Sequence, residues 1–227
     1  MRIGIVFAMK EELDALRKYI SIDEVERIYD LKFFCGTYQD FEIILVESGV
    51  GKVNASRATQ IMIDKMEVDY IFNIGVAGGI DSGLEVCDII IGEELVQYDF
   101  DISIFNHKLG YIPKVGDSIK SDQRLLSLAK KVIKGGKCGI IASGDKFLTD
   151  IKLGEFIKNE FGALAVEMEG ASVAQTAYLS GIPFLIIRSI SDVLNNNNKI
   201  MYEEFLNKSC DVVAVSLLKI IESIKSK

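Results

Sequence analysis

The sequence predicts a single α/β domain over residues 1–227, three layers deep, with a central mixed, largely parallel twisted sheet flanked by helices. Short, nearly all-apolar runs recur along the chain, as in Asp69-Tyr-Ile-Phe-Asn-Ile-Gly75 and Phe184-Leu-Ile-Ile187. Such runs fit strands covered on both faces. Stretches suited to helices fall between many of them. Only two prolines occur, and no Ser/Gly-rich linker, low-complexity tract or internal repeat divides the chain.

Taken in order, Arg2 to Ala8 reads as a buried strand, followed by a helix over 9–20 with Glu12 in its first turn. Strands are expected over 31–36 and 41–48, then a helix over 51–66 opened by Gly49-Val50-Gly51. A strand over 69–75 runs into a glycine-rich stretch, and another covers 87–97. Helices over 122–134 and 150–160 bracket a strand over 138–143. The run ending in Glu167-Met168-Glu169 closes a strand over 163–168, and a helix over 169–180 leads to a strand over 183–190. In the last helix, 201–225, Phe205, Val212, Val213, Val215, Leu217, Leu218, Ile220 and Ile221 recur with helical spacing. Asn195 to Asn198 ahead of it is expected to be a mobile polar loop.

Composition narrows the function. A hydrophobic fraction of 49% excludes disorder, and no apolar run reaches the roughly 18 residues of a membrane span. The apolar run before Lys10-Glu11-Glu12 is too short for a secretory signal. A net charge of −7 argues against nucleic acid or anionic lipid as the main partner. Cys35, Cys87, Cys138 and Cys210 show no CxxC spacing and read as reduced thiols, which points to a cytoplasmic protein. The one histidine, His107, cannot by itself make a zinc site or a Ser-His-Asp triad.

Three carboxylates carry the chemistry. Glu12, Glu169 and Asp192 are scattered in sequence, yet each follows the end of an apolar run. In open α/β sheets ligands bind beyond the carboxyl ends of the strands. Carboxylates gathered there suit acid/base work on a polyol-like, non-anionic substrate. Each has a plainer reading: Glu11 and Glu12 as helix-dipole complements, one of Glu167 and Glu169 as a cap, Asp192 as a cap or turn. The combination favours a site, because a carboxylate facing a crevice is costly unless something binds it.

The glycine clusters do not read as nucleotide loops. Ser48-Gly-Val-Gly-Lys-Val53 has Val46 and Val53 where a P-loop needs glycine and Ser/Thr. It is also one glycine short of the dinucleotide fingerprint, with no acidic residue at a second strand end. Asn73-Ile-Gly-Val-Ala-Gly-Gly79 ends a strand, where small residues allow a flat ligand close to the backbone.

Ile3-Gly-Ile-Val-Phe-Ala-Met-Lys-Glu-Glu12, Ser48 to Val53, Asn73 to Gly79, Ser143-Gly-Asp-Lys-Phe147, Ala165-Val-Glu-Met-Glu169 and Arg188-Ser-Ile-Ser-Asp-Val193 form an ordered set. In order and spacing, from residue 1 to about 206, the chain resembles the 5′-methylthioadenosine/S-adenosylhomocysteine nucleosidases of the purine nucleoside phosphorylase/uridine phosphorylase superfamily. The resemblance implies a nucleoside phosphorylase-like fold and hydrolysis of the N-glycosidic bond. Glu12 would be the general base for water, and Asp192, placed by Ser191, the general acid at N7 of adenine. Glu169 would accept the ribose hydroxyls, with Met168 under the sugar and Glu167 beside it. Phe147 and Leu148 would hold adenine, Ala77 and Gly78 would line the sugar and base region, and Met9, Val50 and Tyr202 would surround the 5′-alkylthio group. Phe105 would complete the pocket of a homodimer partner. No metal or organic cofactor is implied.

The chain departs from that pattern at Val76, often serine; Phe7, commonly glycine; Lys10, usually acidic; and Tyr202, usually phenylalanine. These touch substrate preference more than reaction. The alternatives are a phosphate-dependent phosphorylase, whose Gly-Asp-Pro-x-Arg-type loop is absent, and a non-catalytic nucleoside sensor, which would not need Glu12. Cleavage of aminofutalosine or 5′-deoxyadenosine is a related specificity.

Overall fold

The computed structural model describes residues 1–195 and 198–224. In chain order it runs β1 (Arg2–Phe7), α1 (Lys10–Arg17), β2 (Ser21–Ile28), β3 (Leu31–Tyr38), β4 (Phe41–Glu47), α2 (Lys52–Met66), β5 (Tyr70–Gly79) and β6 (Ile89–Gln97). A short 3-10 turn at Ser103–Phe105 precedes β7 (Ile119–Lys120), α3 (Gln123–Val132), β8 (Lys137–Ser143) and α4 (Ile151–Phe161). The chain continues through β9 (Ala163–Glu167), α5 (Gly170–Leu179), β10 (Phe184–Val193) and α6 (Asn198–Ser223).

One mixed sheet holds these strands. β1 lies between β4 and β5 and is parallel to both. Beyond β4, the antiparallel strands β3 and β2 form one edge. On the other side β10 runs parallel to β5, then β6 antiparallel to β10, with β8 and β9 following in parallel. β9 returns antiparallel onto β5 at Gly78 and Gly79. Strands β5, β10, β6, β8 and β9 thus close a ring, while β7 pairs with β6 outside it.

Alternation along the strands builds two cores. Ile3, Ile5 and Phe7 of β1, Ile43 and Leu45 of β4, and Leu185 and Ile187 of β10 face α1, α3 and α6. Their neighbours Val6, Ile44, Val46 and Ile186 face α2 and α5. A period of two in the sequence therefore becomes the two helix layers of the fold. A smaller cluster packs Ile157 of α4 against Ala142, Ala163 and Val166. No helix among the described residues is long and apolar enough to cross a membrane.

Four expectations are corrected. β2, Ser-Ile-Asp-Glu-Val-Glu-Arg-Ile, is too charged to read as a strand, but it is an exposed edge, where charge blocks unwanted pairing. β7 is two residues long and carries no period. β5 and β10 do not stop at Gly75 and Ile190 but continue to Gly79 and Val193, because they pair with each other to the end. Asn198 is not loop: it is buried and begins α6, while Asn196 and Asn197 of the expected loop lie outside the described residues. Residue 225, the expected end of the last helix, also lies outside them.

Candidate active site

A cavity of about 370 Å³ opens where β1, β5 and β10 end side by side, within the usual range for small-ligand pockets. It gathers residues from distant segments: Met9 and Glu12, Val50, Ala77 and Gly78, Phe147 and Leu148, the Glu167-Met168-Glu169 corner, Ser191 and Asp192, and Tyr202. Every residue the sequence nominates is therefore brought together except Phe105, which is 71% exposed and does not line the cavity. Ala8, Val76, Lys146 and Val166 complete the wall.

Glu12 sits in the first turn of α1. Its Oε2 accepts from the backbone N–H groups of Ala8 at 2.9 Å and Met9 at 3.0 Å, and its Oε1 accepts from Val76 N–H at 3.1 Å. Its place in the first turn fits the helix-dipole reading, yet the side chain also lines the cavity, while Glu11 is exposed. Gly75 beneath it must be glycine, since a Cβ there would overlap the Glu12 carboxylate. Burial pushes the Glu12 carboxyl up, and the Arg188 charge with the three N–H groups pulls it back. Val76 thus supplies a polar contact through its backbone where a serine hydroxyl is absent.

Asp192 owes its aim to an irregularity. The β5–β10 register slips between Ile190 and Asp192, so Ser191 is an extra residue and the alternation is reset. Ser191 Oγ donates to Asp192 Oδ1 at 2.8 Å. Burial raises the Asp192 carboxyl, against the hydrogen bonds of Ser191 and Asn198. Asn198 also donates to the carbonyl of Leu148 at 2.8 Å, tying α6 to the wall beside Phe147. Gly78 lies against Asp192 Oδ2, with 3.3 Å available to an added Cβ.

Glu169 precedes α5, and its Oε1 accepts from Gly51 N–H at 2.8 Å. This is the use of the glycine turn at Ser48–Val53: Gly51, at φ +103°, presents its N–H to a carboxylate rather than to a phosphate. Burial, then the neighbouring Glu167 charge, pushes the Glu169 carboxyl up to about 8, opposed by Arg188 and the Gly51 N–H.

The cap at this corner is Glu167. It accepts from the N–H groups of Glu169 at 3.2 Å and Gly170 at 2.7 Å, from Ser143 Oγ and from Arg188 Nη2. Arg188, 1% exposed, also donates to the carbonyls of Asn73 and Ile187, each at 3.1 Å. Arg188, Asn73, Ser143 and Asn198 are the polar residues to which sequence reasoning assigned no role. Only Arg188 carried a signal, as a charge inside an otherwise apolar strand run, which demands a buried partner.

Apart from Lys146, the rest of the wall is apolar or aromatic. Phe147 meets Tyr202 edge-on, with ring centroids 5.3 Å apart at 78°, and Leu148 is buried. Such a cavity can hold a flat ring and a hydroxylated ring together, facing three carboxyl groups that burial pushes up.

Known proteins resemble the chain over nearly its whole length. The family model described as the phosphorylase superfamily matches residues 2–222. The 5′-methylthioadenosine/S-adenosylhomocysteine nucleosidase of Bacillus pumilus is 37% identical over 216 residues, covering 92% of this chain and 93% of its own. Among solved structures, the nucleosidase of that name from Helicobacter pylori superposes with a TM-score of 0.96 at 37% identity, covering 99% of each chain. A futalosine hydrolase mutant from the same species gives 0.95 at 36% identity, over 99% of this chain and 100% of its own.

Proposed function

The chain belongs to the phosphorylase superfamily and is an N-glycosyl hydrolase of its 5′-methylthioadenosine/S-adenosylhomocysteine nucleosidase family, and from that premise we propose how it acts and on what. It hydrolyses 5′-methylthioadenosine and S-adenosylhomocysteine to adenine and the thioribose, and its apolar 5′ end also accommodates 5′-deoxyadenosine. The observation that carries this reading is the convergence of Glu12, Glu169 and Asp192, all buried, on one cavity.

Asp192 gives its proton to N7 of adenine as the bond from C1′ to N9 breaks, so the electron pair leaves with a neutral base. Burial that raises its carboxyl is what keeps that proton available near neutral pH. The sugar becomes cationic, and the buried carboxylates around it stabilise that charge. Water adds to C1′ and gives a proton to Glu12, which must be ionised for the step. Proton exchange with solvent then resets both groups. The logic is that of glycoside hydrolysis, one carboxyl assisting departure and another activating water.

Glu169 accepts the 2′- and 3′-hydroxyls. Its raised carboxyl in the free protein is compatible with this role, because two hydroxyl donors and a cationic sugar favour the ionised form. Phosphate is a poor alternative nucleophile. The charged Arg188 Nη2 is engaged by Glu167 and Asn73, and Glu12 would repel an anion. The likeness to futalosine hydrolase supports aminofutalosine as a further substrate.

The active unit is a homodimer in which Phe105 completes the partner's pocket. In support, Ile104 and Phe105 are 86% and 71% exposed beside no pocket of their own. The role assignments are tested by Asp192→Asn and Glu12→Gln, each expected to lose about a hundredfold or more in kcat while keeping the native circular dichroism spectrum. Near-normal kcat in either would remove that residue from its role.

A further inference from the structure

The hydroxyl of Tyr202 has a weak partner for its position. It lies on the wall of the cavity and donates to the thioether sulfur of Met9 at 3.3 Å, and a thioether is a poor acceptor. The other hydroxyl on that wall, Ser191 Oγ, is committed to Asp192. Burial, then the Glu12 charge, pushes the Tyr202 phenol up to about 12, so it remains a donor throughout the physiological range. The ring is held edge-on by Phe147, and Met9 is fixed as the residue capping α1, with its N–H bonded to Glu12. The donor is thus mounted on a supported ring, while its bond to sulfur is easily exchanged.

We propose that Tyr202 sets specificity at the 5′ end of the nucleoside: its hydroxyl leaves the Met9 sulfur and donates to the 5′ substituent, favouring an oxygen there over a sulfur. The inference rests on the nucleosidase reading, which puts the 5′ group among Met9, Val50 and Tyr202. For a 5′-thioether substrate the hydroxyl exchanges one thioether acceptor for another and gains little. For a 5′-ether or 5′-hydroxyl it exchanges sulfur for oxygen, a stronger and shorter acceptor. With a phenylalanine ring at this place the wall would offer no such donor. The substrate class that follows is purine nucleosides bearing an ether or hydroxyl oxygen at C5′, taken alongside the 5′-thio compounds.

The test compares 5′-methylthioadenosine with its isostere 5′-methoxy-5′-deoxyadenosine, which differs only in oxygen for sulfur. Adenine release gives kcat/KM for each, in the natural protein and in Tyr202→Phe, which keeps the ring against Phe147. The ratio of methoxy to methylthio kcat/KM should fall about three- to tenfold in the variant, the worth of one neutral hydrogen bond. Because the measure is a ratio within one preparation, partial misfolding of the variant cancels. A ratio unchanged by the substitution, whether both substrates slow together or neither does, overturns the proposal and leaves the nucleosidase reading standing. Failure of the natural protein to release adenine from the methylthio compound overturns both.

Discussion

A carboxyl group acting as an acid near neutral pH has to be kept from ionising, while one acting as a base has to be kept ionised. On the proposed mechanism Asp192 and Glu12, which line the same cavity, are under these opposite demands. Both are raised by burial, so both limbs of the pH profile move up. Activity should rise with pH as Glu12 ionises, at a value above the ordinary 4.5 of a glutamate, and fall again as Asp192 ionises, above the ordinary 3.8 of an aspartate. A kcat profile from pH 4 to 10 checks this, and limbs at ordinary carboxylate values would contradict it. The three carboxylates were legible in sequence because each follows an apolar run that must be a buried strand. Arg188 was legible only as an anomaly, since its partners Glu167 and Asn73 come from two other segments and no spacing links them.

At the scale of elements, the corner between β9 and α5 depends on one buried ion pair. Glu167 caps the first N–H groups of α5 and neutralises Arg188, and both side chains are 2% exposed. Removing one member of such a pair leaves an uncompensated buried charge. Glu167→Ala should therefore destabilise the protein by about 3–5 kcal/mol, read as a lower midpoint in urea unfolding. A shift below about 1 kcal/mol would show that water or relaxation replaces the pair. The strands that sequence missed are those whose reasons lie outside themselves. β2 is held as an edge by β3 despite its charge, and the extra residues of β10 are held by β5. Those last residues carry Asp192, so the error in reading the strand end was also an error about the site: Asp192 stands in a bulged strand, not in a turn after one. Asn198 was hidden for the same reason, as a polar residue in an asparagine run that tertiary contact with Leu148 draws into a helix.

At the scale of the whole molecule, the ring of β5, β10, β6, β8 and β9 brings four widely separated segments to one cavity, and the apolar periods that specify the layers are plain in sequence. What closes the ring is not, because the contact of β9 with β5 involves only Gly78 and Gly79 against Val166 and Ala165. The proposed homodimer makes use of the exposed Phe105 and Ile104. Sedimentation should give twice the 25.2 kDa chain mass, and Phe105→Ala should lower kcat/KM on 5′-methylthioadenosine about tenfold, the worth of a buried aromatic contact. A fully active monomer would contradict this. The central claim, water as the nucleophile at a purine nucleoside, is tested most directly by adenine release from 5′-methylthioadenosine in phosphate-free buffer and again with phosphate added. Release at the same rate in both, with free methylthioribose as the other product, is the predicted result. Release only when phosphate is present, with a sugar phosphate formed, would contradict it.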